Sequence, residues 1–316
     1  MISFVLRRIV QLIPVLLGVT LLAFLLVNLL PGNMALAILG PDASKEAIAH
    51  LQEHLGLNQP ILLRYLHWLG RALTGDLGWS EVQSQPVLPT ILSRFPVTVE
   101  IILLGQLIGV VLAIPCSVVV ALRPQRGFDR LLGMLAYGAI ATPRFLLGLL
   151  LILGFSVYWQ LFPSTGFVPL TADPIGNLHS VALPAITIGV LEFAVYFRVL
   201  RGEMLRNLSE DFVLAARAKG ISPLQAVLRH VLRNSAVVLV TVIGIGFGPL
   251  ISSAVIVESL FSLPGAGDLL VNSIYQRDAV MVQGVVVLVA VTVVLVNLVV
   301  DIAHMLLDPR VHLDDG

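Results

Sequence analysis

Asp211-Phe212-Val213-Leu214-Ala215-Ala216-Arg217-Ala218-Lys219-Gly220-Ile221-Ser222 is a polar, basic, helix-forming stretch set between two apolar runs. The run before it, residues 181–200, contains Glu192, and the run after it, 235–257, carries no charge. A membrane crossing needs about 20 mostly apolar residues, so both runs read as spans and 202–234 reads as an exposed link. Phe212, Val213, Ala215 and Ala216 give the link a small apolar face beside Arg217 and Lys219. Gly220 ends that helix, because glycine takes the left-handed conformation that closes a C-terminus. Ser222 is then an N-cap, Pro223 fits the first helical position and Gln225 completes a capping box. A second helix carrying Arg229, His230 and Arg233 follows. Physics alone leaves two readings of this helix–turn–helix link, a docking surface for another protein or a basic patch for lipid headgroups.

Working outward, the whole chain has the same character. Hydrophobic residues make up 57% of it and charged residues 12%, with mean hydropathy +0.96. A soluble domain carries about 25% charged residues, so lipid must be much of this chain's solvent. Four further apolar runs, 9–30, 97–122, 131–161 and 279–307, complete an expected set of six spans. Arginines crowd alternate links: Arg7 and Arg8, then Arg123, Arg126 and Arg130, then the 202–234 link, then Arg310. The short intervening links are poor in positive charge, 160–180 with none and 258–278 with Arg277 alone, and the positive-inside rule, which counts short links, therefore places both termini in the cytosol. The expected fold is an all-α polytopic membrane protein. Its parts are a first helix over 1–30, an extracytoplasmic loop over 31–96, a transmembrane region over 97–307 and a tail over 308–316.

Several function classes fall away. The net charge of +0 gives no electrostatic case for nucleic acid. The single cysteine, Cys116, lies in an apolar run, and no Cys/His metal spacing occurs. The seven histidines are scattered, with no nucleophile and base at one depth, which argues against a membrane-embedded enzyme. The chain's two lysines, Lys45 and Lys219, lie outside any phosphate-binding loop pattern, so no nucleotide is expected to bind here. Arg7 and Arg8 before an apolar run resemble a signal peptide, and Ala35-Leu36-Ala37 mimics its cleavage site. That run exceeds the about 7–15 residues of a signal core, and it reads as an uncleaved first span. Outside, 44–55 and 60–73 read as short helices, the second with a stripe of Ile61, Leu62, Tyr65, Leu66, Trp68 and Leu69. Tyr65, Trp68 and Trp79 suit an interfacial cap, and a helix packed on the spans for stability is the equal alternative.

Charges at bilayer depth cost a few kcal/mol and usually face a cavity or a partner. Arg144 and Glu192 are the two mid-span cases. Arg144 falls roughly 20–24 Å from the cytosolic side and Glu192 roughly 13 Å, at 1.5 Å per residue. Direct pairing then requires a kink, which Pro143 can supply. The pair reads as lining a translocation path, as a structural pair, or as one charge answering a partner subunit. Glu100 and Glu258, near outer span ends, and Asp301, beside His304, read as interfacial. Gly105 with Gly109, and Gly244 with Gly248, give small-xxx-small faces for close helix packing, with a second subunit as one candidate neighbour.

The Asp211–Ser222 stretch, followed by Leu228-Arg229-His230-Val231-Leu232-Arg233-Asn234, resembles the cytoplasmic coupling loop of ABC importer permeases, and most of all the peptide-transporter branch. The likeness extends along the chain. Leu6-Arg7-Arg8 with Pro14-Val15-Leu16-Leu17-Gly18-Val19, then Leu29-Leu30-Pro31-Gly32, resemble that branch's first span and its exit. Leu55-Gly56-Leu57, Pro60, Tyr65 and Gly75-Asp76-Leu77-Gly78 resemble its outer loop. Phe261-Ser262-Leu263-Pro264-Gly265-Ala266-Gly267 and Leu307-Asp308-Pro309-Arg310 match its end. Leu214 stands where the general loop pattern has Glu, His230 and Arg233 stand where it has Ile and Pro, and Arg144 follows Pro143 where the family has a small or aromatic residue.

The resemblance implies the type I ABC importer transmembrane fold and a first permease subunit of a dipeptide/oligopeptide importer in a bacterial cytoplasmic membrane. It implies four kinds of company: a second homologous permease, two ATPase subunits holding ATP and Mg, an extracytoplasmic substrate-binding protein, and the lipid bilayer. Asp211, Phe212, Ala215, Ala216, Arg217, Lys219, Gly220 and Ile221 would contact an ATPase. Relatives in this branch also carry nickel chelates, glutathione or opines. A secondary transporter is the remaining alternative, but it commonly shows internal repeats and ion-coupling carboxylates at mid-depth. No repeat is visible here, and Glu192 stands alone.

Overall fold

The computed structural model describes residues 2–29, 44–46, 50, 59–124 and 127–307. The helix expected over 44–55 and the motifs at Leu30-Pro31-Gly32, Leu55-Gly56-Leu57 and Asp308-Pro309-Arg310 lie wholly or largely outside these residues. The chain divides into two units, one of residues 1–97 with 264–295 and one of 98–263 with 296–316.

The first unit holds helices α1 (Ile2–Leu29) and α2 (Ile61–Leu73), strands β1 (Trp79–Ser80) and β2 (Gln85–Pro86), the start of α3 (Val87–Leu122), α9 (Ala266–Tyr275) and most of α10 (Ala279–Leu307). Helix α2 docks on α1 through aromatic contacts, with the Phe24 and Tyr65 rings 5.6 Å apart edge to face. The Tyr65 hydroxyl lies 2.9 Å from Thr20 Oγ1, which donates to the Leu16 carbonyl one turn back. Of the two readings of this segment, these contacts favour a helix packed on its neighbour over an interfacial cap. Tyr65 and Trp68 are core residues, and Trp79 alone of the three is exposed. The predicted apolar stripe divides as well, with Ile61, Leu62 and Leu66 facing outward. Beyond α2, Gly75 and Gly78 take φ of +88° and +106°, and Asp76 Oδ1 accepts the Gly78 N–H at 2.9 Å. That tight turn buries Leu77 and leads into the two-stranded antiparallel ribbon β1–β2. Buried Ser80 bonds Asp278, whose other oxygen accepts the Met281 N–H at 3.1 Å and so caps α10.

The second unit is built around α6 (Pro174–Asn207), with most of α3, α4 (Gly127–Ala141), α5 (Arg144–Leu151, continued by a π-helical stretch Ile152–Tyr158), α7 (Asp211–Ala218) and α8 (Pro223–Phe261). Asp173 caps α6, accepting the Ile175 N–H at 3.0 Å, and Pro174 fills the first position. Its apolar window is 72% buried, the largest share among the spanning helices, so α6 is the central element. Glycines let its neighbours approach. A Cβ on Gly105 would sit 2.5 Å from Ile188, and one on Gly109 would sit 2.9 Å from the Glu192 Cβ. The Gly105/Gly109 face of α3 therefore packs on α6 of the same chain, and Gly244 packs on Val300, also in this chain.

Among the described residues, four helices are each long and apolar enough to cross a membrane: Val87–Leu122, Pro174–Asn207, Pro223–Phe261 and Ala279–Ile302. The third expected span is not one helix. Gly127–Ala141 and Arg144–Tyr158 pass the same test only together, and they are bent by 109°. Pro143 has no N–H to continue the α4 ladder and disfavours a helical Thr142 before it. Its carbonyl instead starts α5, accepting from the Leu146 and Leu147 N–H groups at 3.0 and 3.2 Å. Of α1, the described apolar stretch Val10–Leu25 is shorter than a full crossing. Glu258 departs from expectation too, being fully buried rather than interfacial.

Candidate functional site

The link read first in the sequence is present as a defined turn. Helix α6 runs past the expected end of its span to Asn207, and α7 begins at Asp211. Gly220 has φ +81°, and its N–H bonds the Arg217 carbonyl at 2.9 Å. The Ile221 N–H reaches back to the Ala216 carbonyl at 3.3 Å. This pair of bonds is the glycine-closed Schellman ending, which satisfies carbonyls that would otherwise face nothing. Ser222 Oγ accepts the Gln225 N–H at 3.4 Å and Pro223 takes the first helical position. Among the described residues the Gln225 side chain makes no return bond, so the capping box is half formed. The second helix of the link does not stop before the next span. It is the start of α8 itself, continuing through a π-helical segment, Val227–Val231, into the spanning part of that helix.

The apolar face of α7 divides in two. Val213 and Ala216 point inward, buried at 0% and 6% exposure, and Val213 joins the core of the second unit. Asp211, Phe212, Ala215, Arg217, Lys219 and Gly220 are exposed, and Ile221 is half-buried. Ala216 therefore holds the helix to its own chain, while Ala215 is open to a partner. The sequence reading missed Leu214, which is 56% exposed beside Ala215. Asp211, Leu214, Ala215 and Ala218 recur at helical spacing on the face away from Val213, and that was the available signal. The link is anchored at its base, where Asn207 Nδ2 donates to Ser235 Oγ at 2.9 Å and both residues are buried.

The break at Pro143 places Arg144 at the start of α5 and turns it toward α6 and α8. Arg144 Nη2 lies 3.5 Å from Glu192 Oε1, and Nη1 donates to Ser253 Oγ. Ser253 Oγ in turn donates to the Leu250 carbonyl at 2.8 Å. The Arg144 side chain is 29% exposed and that of Glu192 is 7% exposed, so the arginine keeps an open edge while the carboxylate is enclosed. One turn beyond Glu192, the Tyr196 hydroxyl donates to Gln106 Oε1 at 2.7 Å, and both residues are buried. Three helices thus meet on one guanidinium, which retains N–H donors beyond the two in use.

A second ion pair was not legible beforehand. Arg201 donates from Nε and Nη2 to the two oxygens of Asp129, at 2.5 and 2.8 Å. Asp129 is 4% exposed, and this bidentate pair locks the first turn of α4 to α6. A lone acidic residue within an arginine-rich link was its only mark in the sequence.

Long apolar helices, a broken span and an exposed helix–turn–helix link define a multi-pass membrane protein of the transport type. Residues 113–313 match the family described as binding-protein-dependent transport system inner membrane component, and residues 1–102 match that system's N-terminal membrane component. A putative peptide transport system permease of Brucella suis is 39% identical over 314 residues, covering 99% of this chain and 100% of the relative. A probable peptide ABC transporter permease of Sinorhizobium fredii is 35% identical, covering 98% of each chain. The glutathione transport system permease GsiC of Escherichia coli K12 is 36% identical, covering 98% of this chain and 99% of its own. Among solved structures, an inward-facing MetNI methionine ABC transporter chain superposes with TM-score 0.56 at 20% identity, covering 69% of this chain and 96% of that one. The chain belongs to the binding-protein-dependent transport system inner membrane component family. It is an inner-membrane transport permease with the type I ABC importer transmembrane fold.

Proposed function

We propose that this permease forms one half of the translocation pore of an ATP-driven importer of di- and oligopeptides. A second, homologous permease supplies the other half. Two ATPase subunits sit on the arginine-rich side, and an extracytoplasmic binding protein delivers the peptide. The observation that carries the reading is α7, a short exposed helix closed by Gly220 and joined at both ends to long spanning helices. Movement of an ATPase cleft around Phe212, Leu214, Ala215 and Lys219 is passed directly to α6 and α8. ATP binding must favour one conformer over another for this to drive transport.

In this proposal Arg144 faces the path and meets the substrate's carboxylate, held in place by Glu192 and Ser253. Glutathione is the second substrate reading, favoured by the resemblance to the Escherichia coli glutathione permease. The test is uptake of a labelled dipeptide and of labelled glutathione by proteoliposomes holding the full complex. Leu214→Asp should leave the permease pair assembled and abolish retention of the ATPases and ATP-dependent uptake. Normal ATPase retention and uptake in that variant would remove α7 from the coupling role. Uptake that persists without the ATPases would overturn the ABC reading.

A further inference from the structure

Helices α4 and α6 leave a pocket of about 500 Å³ between them, apart from the Arg144–Glu192 site. Its walls are apolar, with Met134 and Tyr137 from α4 and Phe197 from α6. Its charged edge is made by Arg130, Arg198 and the Asp129–Arg201 pair. That pair is self-neutralising, because Arg201 spends two donors on one carboxylate. Arg130 and Arg198 are exposed, and among the described residues neither makes an ion pair or a hydrogen bond. The pocket therefore offers two uncompensated positive charges above an apolar wall.

We infer that this pocket binds an anionic phospholipid, its phosphate held by Arg130 and Arg198 and its acyl chains laid along Met134 and Tyr137. The placement of residues along α4 supports that ligand. Arg130, Met134 and Tyr137 fall at i, i+4 and i+7, a single stripe of about 10 Å from charge into hydrocarbon. Met134 and Tyr137 are 65% and 63% exposed, as lipid-facing side chains are. The arginine-rich links put this end of α4 at the cytosolic leaflet. Anionic lipids there give a negative surface, and basic pockets between spanning helices on that side take up their headgroups. A soluble anion would use the arginines and leave the apolar wall idle, whereas a phospholipid uses both. Space exists for the chains, since nothing lies within 4 Å of a Cβ built on Gly133.

The experiment uses the full importer complex in nanodiscs of phosphatidylcholine alone or with phosphatidylglycerol. Retained lipid is counted by native mass spectrometry, and Tm is followed in parallel. The wild type should keep phosphatidylglycerol after delipidation and gain Tm in its presence. Arg130→Gln with Arg198→Gln should bind it about thirtyfold more weakly, at about 1 kcal/mol per arginine. Gly133→Leu should fill the pocket and lose the retained lipid, with Tm in phosphatidylcholine unchanged. Equal retention by wild type and both variants overturns the proposal. An equal Tm gain from inorganic phosphate in phosphatidylcholine discs overturns it in favour of a free-anion site. Efficient crosslinking of Met134→Cys to the second permease overturns it in favour of a protein-covered face.

Discussion

Removing either member of the Arg144–Glu192 pair tests the centre of the site. At 3.5 Å, two unit charges interact by about 5 kcal/mol at an effective dielectric of about 20. Breaking a buried pair from one side costs about 3–5 kcal/mol, because the survivor is left uncompensated. The two single variants should differ. Arg144→Met strands a carboxylate that is 7% exposed, while Glu192→Gln leaves an arginine that is 29% exposed and still bonded to Ser253. Arg144→Met should therefore sit nearer the upper figure and Glu192→Gln nearer the lower. The double variant removes both charges and should be more stable than Arg144→Met alone, since a neutral pair carries no stranded ion. For a unit of this size each kcal/mol is about 2–4 °C in Tm, so the singles should lose about 6–20 °C on that scale. The assay is Tm of the complex in nanodiscs, paired with ATP-dependent peptide uptake. A coupling energy below about 0.5 kcal/mol, the additivity limit for independent sites, would refute the electrostatic reasoning. Recovery of both Tm and uptake in the double variant would refute a substrate-facing role for Arg144, leaving a purely structural pair.

Other expectations follow from packing and backbone geometry. Gly105→Ala should cost about 1–3 kcal/mol by overpacking, because its Cβ would lie 2.5 Å from Ile188. Gly138→Ala, with nothing within 4 Å, should instead gain up to about 1 kcal/mol from helix propensity, and thermal melts of the two variants compare them directly. Asn207→Ala leaves the buried Ser235 hydroxyl without its partner and should cost about 1–3 kcal/mol, read as faster proteolysis of the 202–234 link. Gly220→Ala places a side chain at φ +81° and should cost about 1–2 kcal/mol. Its readout is ATP hydrolysis that is no longer stimulated by the loaded binding protein.

Hydropathy, the arginine bias and the local signals were available to the sequence because each depends on a few neighbouring residues. Ser222-Pro223 and Gly220 specify their turn wherever it is placed, since capping and a positive φ are settled within one helical turn. The family likeness was readable for the same reason, being carried by short contiguous motifs. Contacts between distant residues were not. Pro143 announced a break, but only the folded chain sets it at 109° and brings Arg144 onto Glu192 and Ser253. The same holds for Asp129 and Arg201, which are 72 residues apart. Helical periodicity lists the residues sharing a face without saying what that face meets. Hence Ala216 turned inward where a partner contact was expected, Tyr65 and Trp68 became core, and Glu258 was buried. Gly105 and Gly109 close α3 onto α6 of their own chain for the same reason. By itself, then, the sequence determined that this is a polytopic permease with an exposed basic link, because solvent preference and capping are local. The tertiary structure alone decided which charges pair and which faces remain open, because those outcomes depend on packing between helices far apart in the chain.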